Sequence, residues 1–397
     1  MSPIYTNKKL KTIISFLATV TFIFAFSFNS AGQTRARSEI QIPDIPGYIT
    51  LKCDFHIHTV FSDGNVWPSV RSVEAWQEGL DAFAITDHIE YHPYKDDIKI
   101  DHNRPYEVAL PSAETLGLLL IKGGEITRDM PPGHVNAIFL NDVAALDTEI
   151  FTEAIDAAAA QGAFIFYNHP GWKGQQEDGI SKWYPEHTEI YKKGQLHGIE
   201  VVNGPEYYPR SHQWCIDKKL TLIGNSDVHE PIAMVYDFHK GEHRTMTLVF
   251  AKKRSLKSIK EALFAGRTAI YWENSLIGER KYLEPIFNKS VAILNPKVAV
   301  TGRSRAYIQI RNTSGIPFEL ELAGKVELIK VPEKITLYGN KTVLFGIRSI
   351  TKEMSGKKTF SIPYKVKNLL ISPEQGVLTE IKIKVHFTPE EPAVQHN

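Results

Sequence analysis

The chain has 397 residues, 43% of them apolar and 11% aromatic, with 46 basic residues against 45 acidic ones and a formal charge of +1. That length exceeds one ordinary domain and makes two the first expectation, with a composition ordinary for a soluble globular protein. The near-zero charge excludes any global preference for nucleic acid or an anionic membrane, so a charge-based partner would have to be met locally.

Residues 1–32 read as an export signal. Lys8, Lys9 and Lys11 precede an uncharged apolar run over 13–28, and Asn29-Ser30-Ala31-Gly32-Gln33 supplies small and polar residues for cleavage. The alternative is an uncleaved anchor, since the run is only slightly short for a span. The expected location is periplasmic or secreted, with no membrane attachment once the signal is removed. Residues 33–50, with Pro43 and Pro46, read as a linker. An exported chain with only Cys53 and Cys215 could form one disulfide. Two buried free thiols is the favoured reading, because Cys53 alternates with Asp54 and His56 and neither cysteine has zinc spacing.

From residue 51 short β-rich runs alternate with amphipathic stretches. The runs cover 50–57, 82–86, 118–126, 134–140, 163–168, 198–202, 220–225 and 245–251; helices are predicted over 69–78, 150–160 and 255–265. Most runs are apolar on both faces, as in parallel strands with helices outside, which predicts an α/β barrel or doubly wound sheet over 51–275. Beyond it, in 276–397, runs at 306–310, 318–322, 335–338, 343–347, 359–366 and 381–387 alternate with period two between turn signals. They predict a small antiparallel β-sandwich with a structural or positioning role.

The chemistry gathers at the ends of the runs. Asp54, His56 and His58 occupy alternate positions on one strand and so face one way, and the loop beyond brings Asp63. Thr86-Asp87-His88 ends the second run, and Gly123-Gly124-Glu125 lies near the end of the third, with Gly124 expected to allow close backbone approach beside a cluster. Asn168-His169-Pro170-Gly171 and Asn225-Ser226-Asp227-Val228-His229 follow two more. C-terminal strand ends meet at one face of a barrel or parallel sheet, so these distant residues should converge. His134 is the exception, because it begins its run. Imidazole and carboxylate together suit divalent Mn, Zn or Fe. His92, His102, His187, His197, His212, His239 and His243 read as ordinary core or surface histidines. Asp54 and Asp87 are candidate orienters of ligand imidazoles. Arg128 is the best candidate for meeting a phosphate, ahead of Arg210 and Lys95.

This ordered series resembles the polymerase-and-histidinol-phosphatase (PHP) family of metal-dependent phosphoesterases over residues 51–272, including Thr247-Leu248-Val249-Phe250 and Leu263-Phe264-Ala265-Gly266-Arg267. The resemblance implies a distorted seven-stranded β/α barrel with two or three divalent metals at its mouth, followed here by a small all-β sandwich of immunoglobulin-like kind. It implies one metal on His56, His58, Glu125 and Asp227, a second bridged by Glu125 and completed by His134 and His169, and a third on Asp63, His88 and His229. Asp63 stands where some members have histidine. The tail, with Leu276-Ile277-Gly278-Glu279 and Tyr282-Leu283, is similar to exported bacterial PHP proteins classed as phosphodiesterases. The expected activity is hydrolysis of a small-molecule phosphodiester by a metal-activated water, with Glu125, Asp227 and Arg128 as catalytic residues and nucleic acid disfavoured as substrate. A phosphomonoesterase of the histidinol-phosphatase type and a non-catalytic metal-binding module remain as alternatives.

Overall fold

The predicted runs become strands with ends shifted by a few residues. In the computed structural model, which describes residues 35–391, the first part contains β1 (Ile49–Asp54), β2 (Ala82–Ile85), β3 (Leu119–Ile126), β4 (Val135–Ile138), β5 (Phe164–Tyr167), β6 (Gly198–Asn203), the two-residue β7 (Glu206–Tyr207) and β8 (Thr221–Asn225). β9 (Met246–Ala251), β10 (Thr268–Trp272) and β11 (Ser275–Gly278) follow. The staves β1, β2 and β3 pair in parallel, as do β5, β6 and β8. Strand direction departs from the expectation elsewhere: β4 is antiparallel to both β3 and β5, and β9 is antiparallel to β1 and β10. Apolar residues on both faces report that both faces are covered and carry no information on direction.

β9 and β10 fill the gap between β8 and β1. There Thr247 Oγ1 accepts from Gly224 N and donates to Gly224 O, while Thr268 Oγ1 donates to Leu222 O. Hydroxyls thus satisfy backbone groups where the barrel closes. A side chain at Gly224 would put its Cβ 2.2 Å from Ile270 Cγ2, so the closure requires glycine at that position.

Helices cover the outside. Pro68–Gln77, Phe151–Ala160 and Leu256–Phe264 match the predicted ones; Arg104–Thr115, Pro185–Lys192, Pro209–Lys218 and Arg280–Ser290 were not foreseen. Three of those four carry proline in the first turn, where its missing N–H is not needed, and that signal was available. The stretch read as a linker is, from Gln41 on, a packed strap. Ile42 and Ile45 are buried, Gln41 O accepts from Gly315 N, and Thr50 N bonds Asp44. The export signal lies outside the described residues. Cys53 and Cys215 are buried free thiols.

The tail is a sandwich. One sheet has β12 (Val291–Ile293), β14 (Arg305–Asn312), β18 (Thr342–Ser349) and β16 (Ile329–Lys330). The other has β13 (Lys297–Thr301), β20 (Gln375–Thr388), β19 (Gly356–Ser372), β15 (Phe318–Leu322) and β17 (Lys334–Leu337). Strict in–out alternation along β14 places Ala306, Ile308 and Ile310 in the core, as its period-two pattern predicts. Leu276 and Ile277 of β11 pair in parallel with Leu369 and Leu370 of β19, so the barrel sheet runs on into the sandwich. The helix Arg280–Ser290 buries Leu283, Ile286 and Phe287 in an apolar core that both parts share.

Candidate metal centre

All nine predicted ligands meet at one mouth of the barrel. His56 and His58 continue β1, where His58 N donates to Val228 O and Asp227 N donates to His56 O. His88 leaves β2 and bridges to Glu125 on β3. His134 explains itself once β4 is seen to run backwards. Val135 pairs with Ile126 at the end of β3 and with Tyr167 at the end of β5, so the start of β4 lies where its neighbours finish. His169 and Asp227 have φ of 25° and 53°, strained for non-glycine residues. Hydrogen bonds hold both: His169 N donates to Glu200 Oε2 at 2.8 Å, and Asp227 N to His56 O at 3.0 Å.

The donor atoms crowd together. The ring nitrogens His56 Nε2 and His58 Nε2 are 3.0 Å apart, and each lies 3.0–3.1 Å from Asp227 Oδ1. Glu125 reaches His134 Nδ1 at 3.1 Å and His169 Nε2 at 3.4 Å through one oxygen, and His88 Nδ1 at 2.8 Å through the other. Asp63 lies 3.2 Å from His229 Nε2 and 3.4 Å from His88 Nε2. Four groups place one donor atom per residue within 4.8 Å of one another: His58–Asp63–His88–His229, His56–His58–Glu125, His56–His169–Asp227 and His88–Glu125–His134. The partition differs in detail from the one carried over by resemblance. His58 also joins the Asp63 group, and His169 also groups with His56 and Asp227 while sharing Glu125 Oε1 with His134. None of the seven histidines read as ordinary enters any group.

This donor set fits divalent cations. Glu125 Oε2 and Asp227 Oδ1 are buried and face ring nitrogens 2.8–3.1 Å away without a hydrogen bond of sound geometry, an arrangement that a cation between them would relieve. The electrostatics agree. Burial opposes charge on His88 and His229, yet the facing carboxylates outweigh it and raise them to about 10 and about 9. Burial likewise opposes charge on His56, but Asp227, Glu125 and Glu200 hold it well above the ordinary value. His58 drops to about 3 under burial and the positive fields of His229 and His88, and so presents a neutral ring. Burial works against the anionic forms of Glu125, Asp227 and Asp63, but the surrounding imidazoles keep all three far below the usual carboxylate range. Cations that bound here would displace the protons gathered on these rings.

The supporting residues differ from those expected. Asp54 does not orient an imidazole. Its carboxylate accepts from Ser226 N and Oγ and from Arg244, beside the Asp227 turn. Asp87 binds Thr59 N, Thr59 Oγ1 and Ser62 Oγ, and reaches His58 only through Ser62, 3.4 Å from Nδ1. The direct orienter of His56 is Glu200, unnoticed in the sequence: its Oε1 lies 2.9 Å from His56 Nδ1, and its oxygens also accept from Asn225 Nδ2, His169 N and Asn203 Nδ2. A glutamate inside the apolar run 198–202 was the signal. Gly124 does not make room beside the cluster either, since a Cβ there would meet Val143 and Ile89 in the outer apolar layer. Arg128 lies to the side, its guanidinium bonded to Glu90 and to the carbonyls of Thr127 and Thr148.

A distorted α/β barrel with buried imidazoles and carboxylates converging at its mouth defines a barrel metalloenzyme. An Ig-like domain model matches residues 291–382. A solved two-domain protein of Bacteroides vulgatus, described as containing a predicted PHP-like metal-dependent phosphoesterase, is 46% identical, with a TM-score of 0.83 over 88% of this chain and 100% of that one. A proposed metal-dependent phosphoesterase of Bifidobacterium adolescentis is 18% identical, with a TM-score of 0.36 over 45% of this chain and 87% of that one. No curated protein matches. The chain belongs to the two-domain PHP-like metal-dependent phosphoesterases, with the PHP-like α/β domain followed by an Ig-like β domain.

Proposed function

We propose that the protein is an exported phosphodiesterase acting on a small-molecule phosphodiester. The observation that carries the phosphoesterase reading is the convergence in one pocket of nine ligands, with two buried carboxylate oxygens lacking a hydrogen bond of sound geometry. Divalent ions held there would activate a water and take up charge from the phosphoryl oxygens. Glu125 and Asp227 would supply the anionic ligands, kept ionised by the imidazoles around them. Glu200 holds His56 by Nδ1 and so directs Nε2 into the cluster.

The surroundings favour a diester over a monoester. A cavity of about 620 Å³ adjoins the cluster at Gln175, which contacts His134, and Glu90, Asp129, Asp147 and Glu149 line it together with Arg128. Arg128 is already paired with Glu90, so it does not supply an unpaired cation for the second charge of a monoester. A diester carries one charge less. Export rests on the basic, apolar and small-residue order of residues 1–32. The test is turnover of bis-p-nitrophenyl phosphate against p-nitrophenyl phosphate with defined Mn, Zn and Fe. Faster diester cleavage is expected. Faster monoester cleavage would transfer the assignment to a phosphomonoesterase, and no cleavage of either would favour a metal-binding module.

A further inference from the structure

The segment Ser226–Pro231 carries Asp227 and His229 and, apart from a single bridge from Val228 to Ile57, belongs to no helix or strand. Its backbone is held by the continuation of β1 and the loop after it, through His58 N, His56 O and Asn65 N, and by the helix Pro68–Gln77. Arg71, 1% exposed, uses all five guanidinium N–H groups, three of them on carbonyls of this segment. Nε donates to His58 O at 2.9 Å. One terminal nitrogen donates to Glu230 O and Glu74 Oε2, both at 2.8 Å, and the other to Val228 O at 3.1 Å and His229 O at 2.6 Å. One turn on, Glu74 Oε1 accepts from Ile232 N at 3.0 Å. Beyond the end of the helix, Glu78 holds the buried Arg244, which holds Asp54, which binds Ser226 N and Oγ. The helix therefore grips the far end of the segment directly, and the residue that caps it reaches the near end through Arg244 and Asp54.

Arg71 ties together the two chain segments that supply His58 and His229. Those residues are two of the four in the group His58–Asp63–His88–His229, whose Asp63 and His229 are the more exposed members of the centre. In the groups His56–His169–Asp227 and His88–Glu125–His134 no ligand residue bonds Arg71, whereas His56–His58–Glu125 shares His58 with the group at hand. A planar fork with five fixed donors can collect four carbonyls and a carboxylate at once, whereas an ammonium cannot.

We infer that Arg71 is a positioning residue for the His58–Asp63–His88–His229 group, setting its affinity for a divalent ion through the backbone of both ligand-bearing segments. The inference rests on the metal-centre reading. The test measures Zn²⁺ equivalents by elemental analysis, and stepwise affinities by chelator competition, for the full chain, Arg71→Lys, His229→Ala and the double variant. Arg71→Lys should weaken one equivalent by roughly 10–100-fold, as loss of an outer partner of a ligand does, and leave at least one other equivalent as it is. The double variant should lose no more than His229→Ala alone, because both changes act on the same ion. Weakening of every equivalent by Arg71→Lys, additive losses in the double variant, or unaltered affinities would each overturn the inference. Less than one equivalent in the parent chain would instead sink the metal centre itself. If Arg71→Lys does not fold, Glu74→Gln removes the counter-charge of Arg71 while keeping an acceptor for Ile232 N, and it should weaken the same equivalent; no effect on that equivalent counts against the role.

Discussion

Replacing Glu200 by glutamine separates the geometry of this centre from its charge. The carboxylate is fully buried and accepts four hydrogen bonds of 2.8–2.9 Å, from His56 Nδ1 and Asn225 Nδ2 on one oxygen and from His169 N and Asn203 Nδ2 on the other. An amide keeps one acceptor and turns the other into a donor. Whichever way it flips, two buried donors lose their partner and face an N–H. Hydrogen bonds to a charged group contribute about 1.5–3 kcal/mol each, so the loss is about 3–6 kcal/mol, a large share of the 5–15 kcal/mol that stabilises an ordinary domain. The flip also decides which histidine suffers, His56 or His169, but both belong to the group with Asp227. That group should therefore bind its ion roughly 10–100-fold more weakly in either case. Urea unfolding in excess chelator measures the first effect free of metal, and chelator competition with Zn²⁺ measures the second. A stability loss below about 1 kcal/mol, less than one such bond contributes, together with unchanged affinity, would refute the role given to Glu200.

Gly224→Ala should destabilise by about 1–3 kcal/mol through overpacking against Ile270 at the barrel closure, and in a double-mutant cycle with Ile270→Ala the pair should lose less than the sum of the single losses; strict additivity would contradict the close contact. His187 should make the fold acid-sensitive. Its Nδ1 accepts from Tyr184 N and its Nε2 donates to Pro132 O, so a second ring proton has no acceptor, and burial pulls its pKa down to about 4. The unfolded chain protonates this ring near pH 6.5 and the folded chain only near 4. Stability is therefore held in full above pH 6.5 and falls by up to about 3 kcal/mol as the pH drops towards 4. Urea midpoints at pH 7 and 5 should fall less in His187→Gln than in the parent chain, and a His187 resonance titrating near 6.5 would defeat the argument.

Much of the centre was legible in advance, for a local reason. A strand shows its side chains with period two, so His56 and His58 declare a common face without any partner strand. Donors directly after apolar runs, as at His88, His169 and Asp227, then point to one end of a sheet. The helices with proline in the first turn carry an equally local signal. Other features were not local. Asp54 reads as an orienter of a ligand imidazole, yet it meets Arg244 and Ser226, which lie about 170–190 residues further along the chain. Arg128 stands three residues from Glu125, but Glu90 and two carbonyls hold its guanidinium away from the ligands.

By itself the sequence determined that donor residues cluster at the ends of apolar runs and that an α/β part precedes an alternating β part, because composition and alternation are properties of neighbours along the chain. Only the tertiary structure decided how those residues divide into groups. The reversed direction of β4 brings His134 to the mouth, Glu200 turns His56 inward, and Arg71 joins the His58 and His229 segments. Each depends on pairing between parts of the chain far apart in sequence, and the periodicity of a single segment holds no record of which neighbour it will meet or in which direction that neighbour runs.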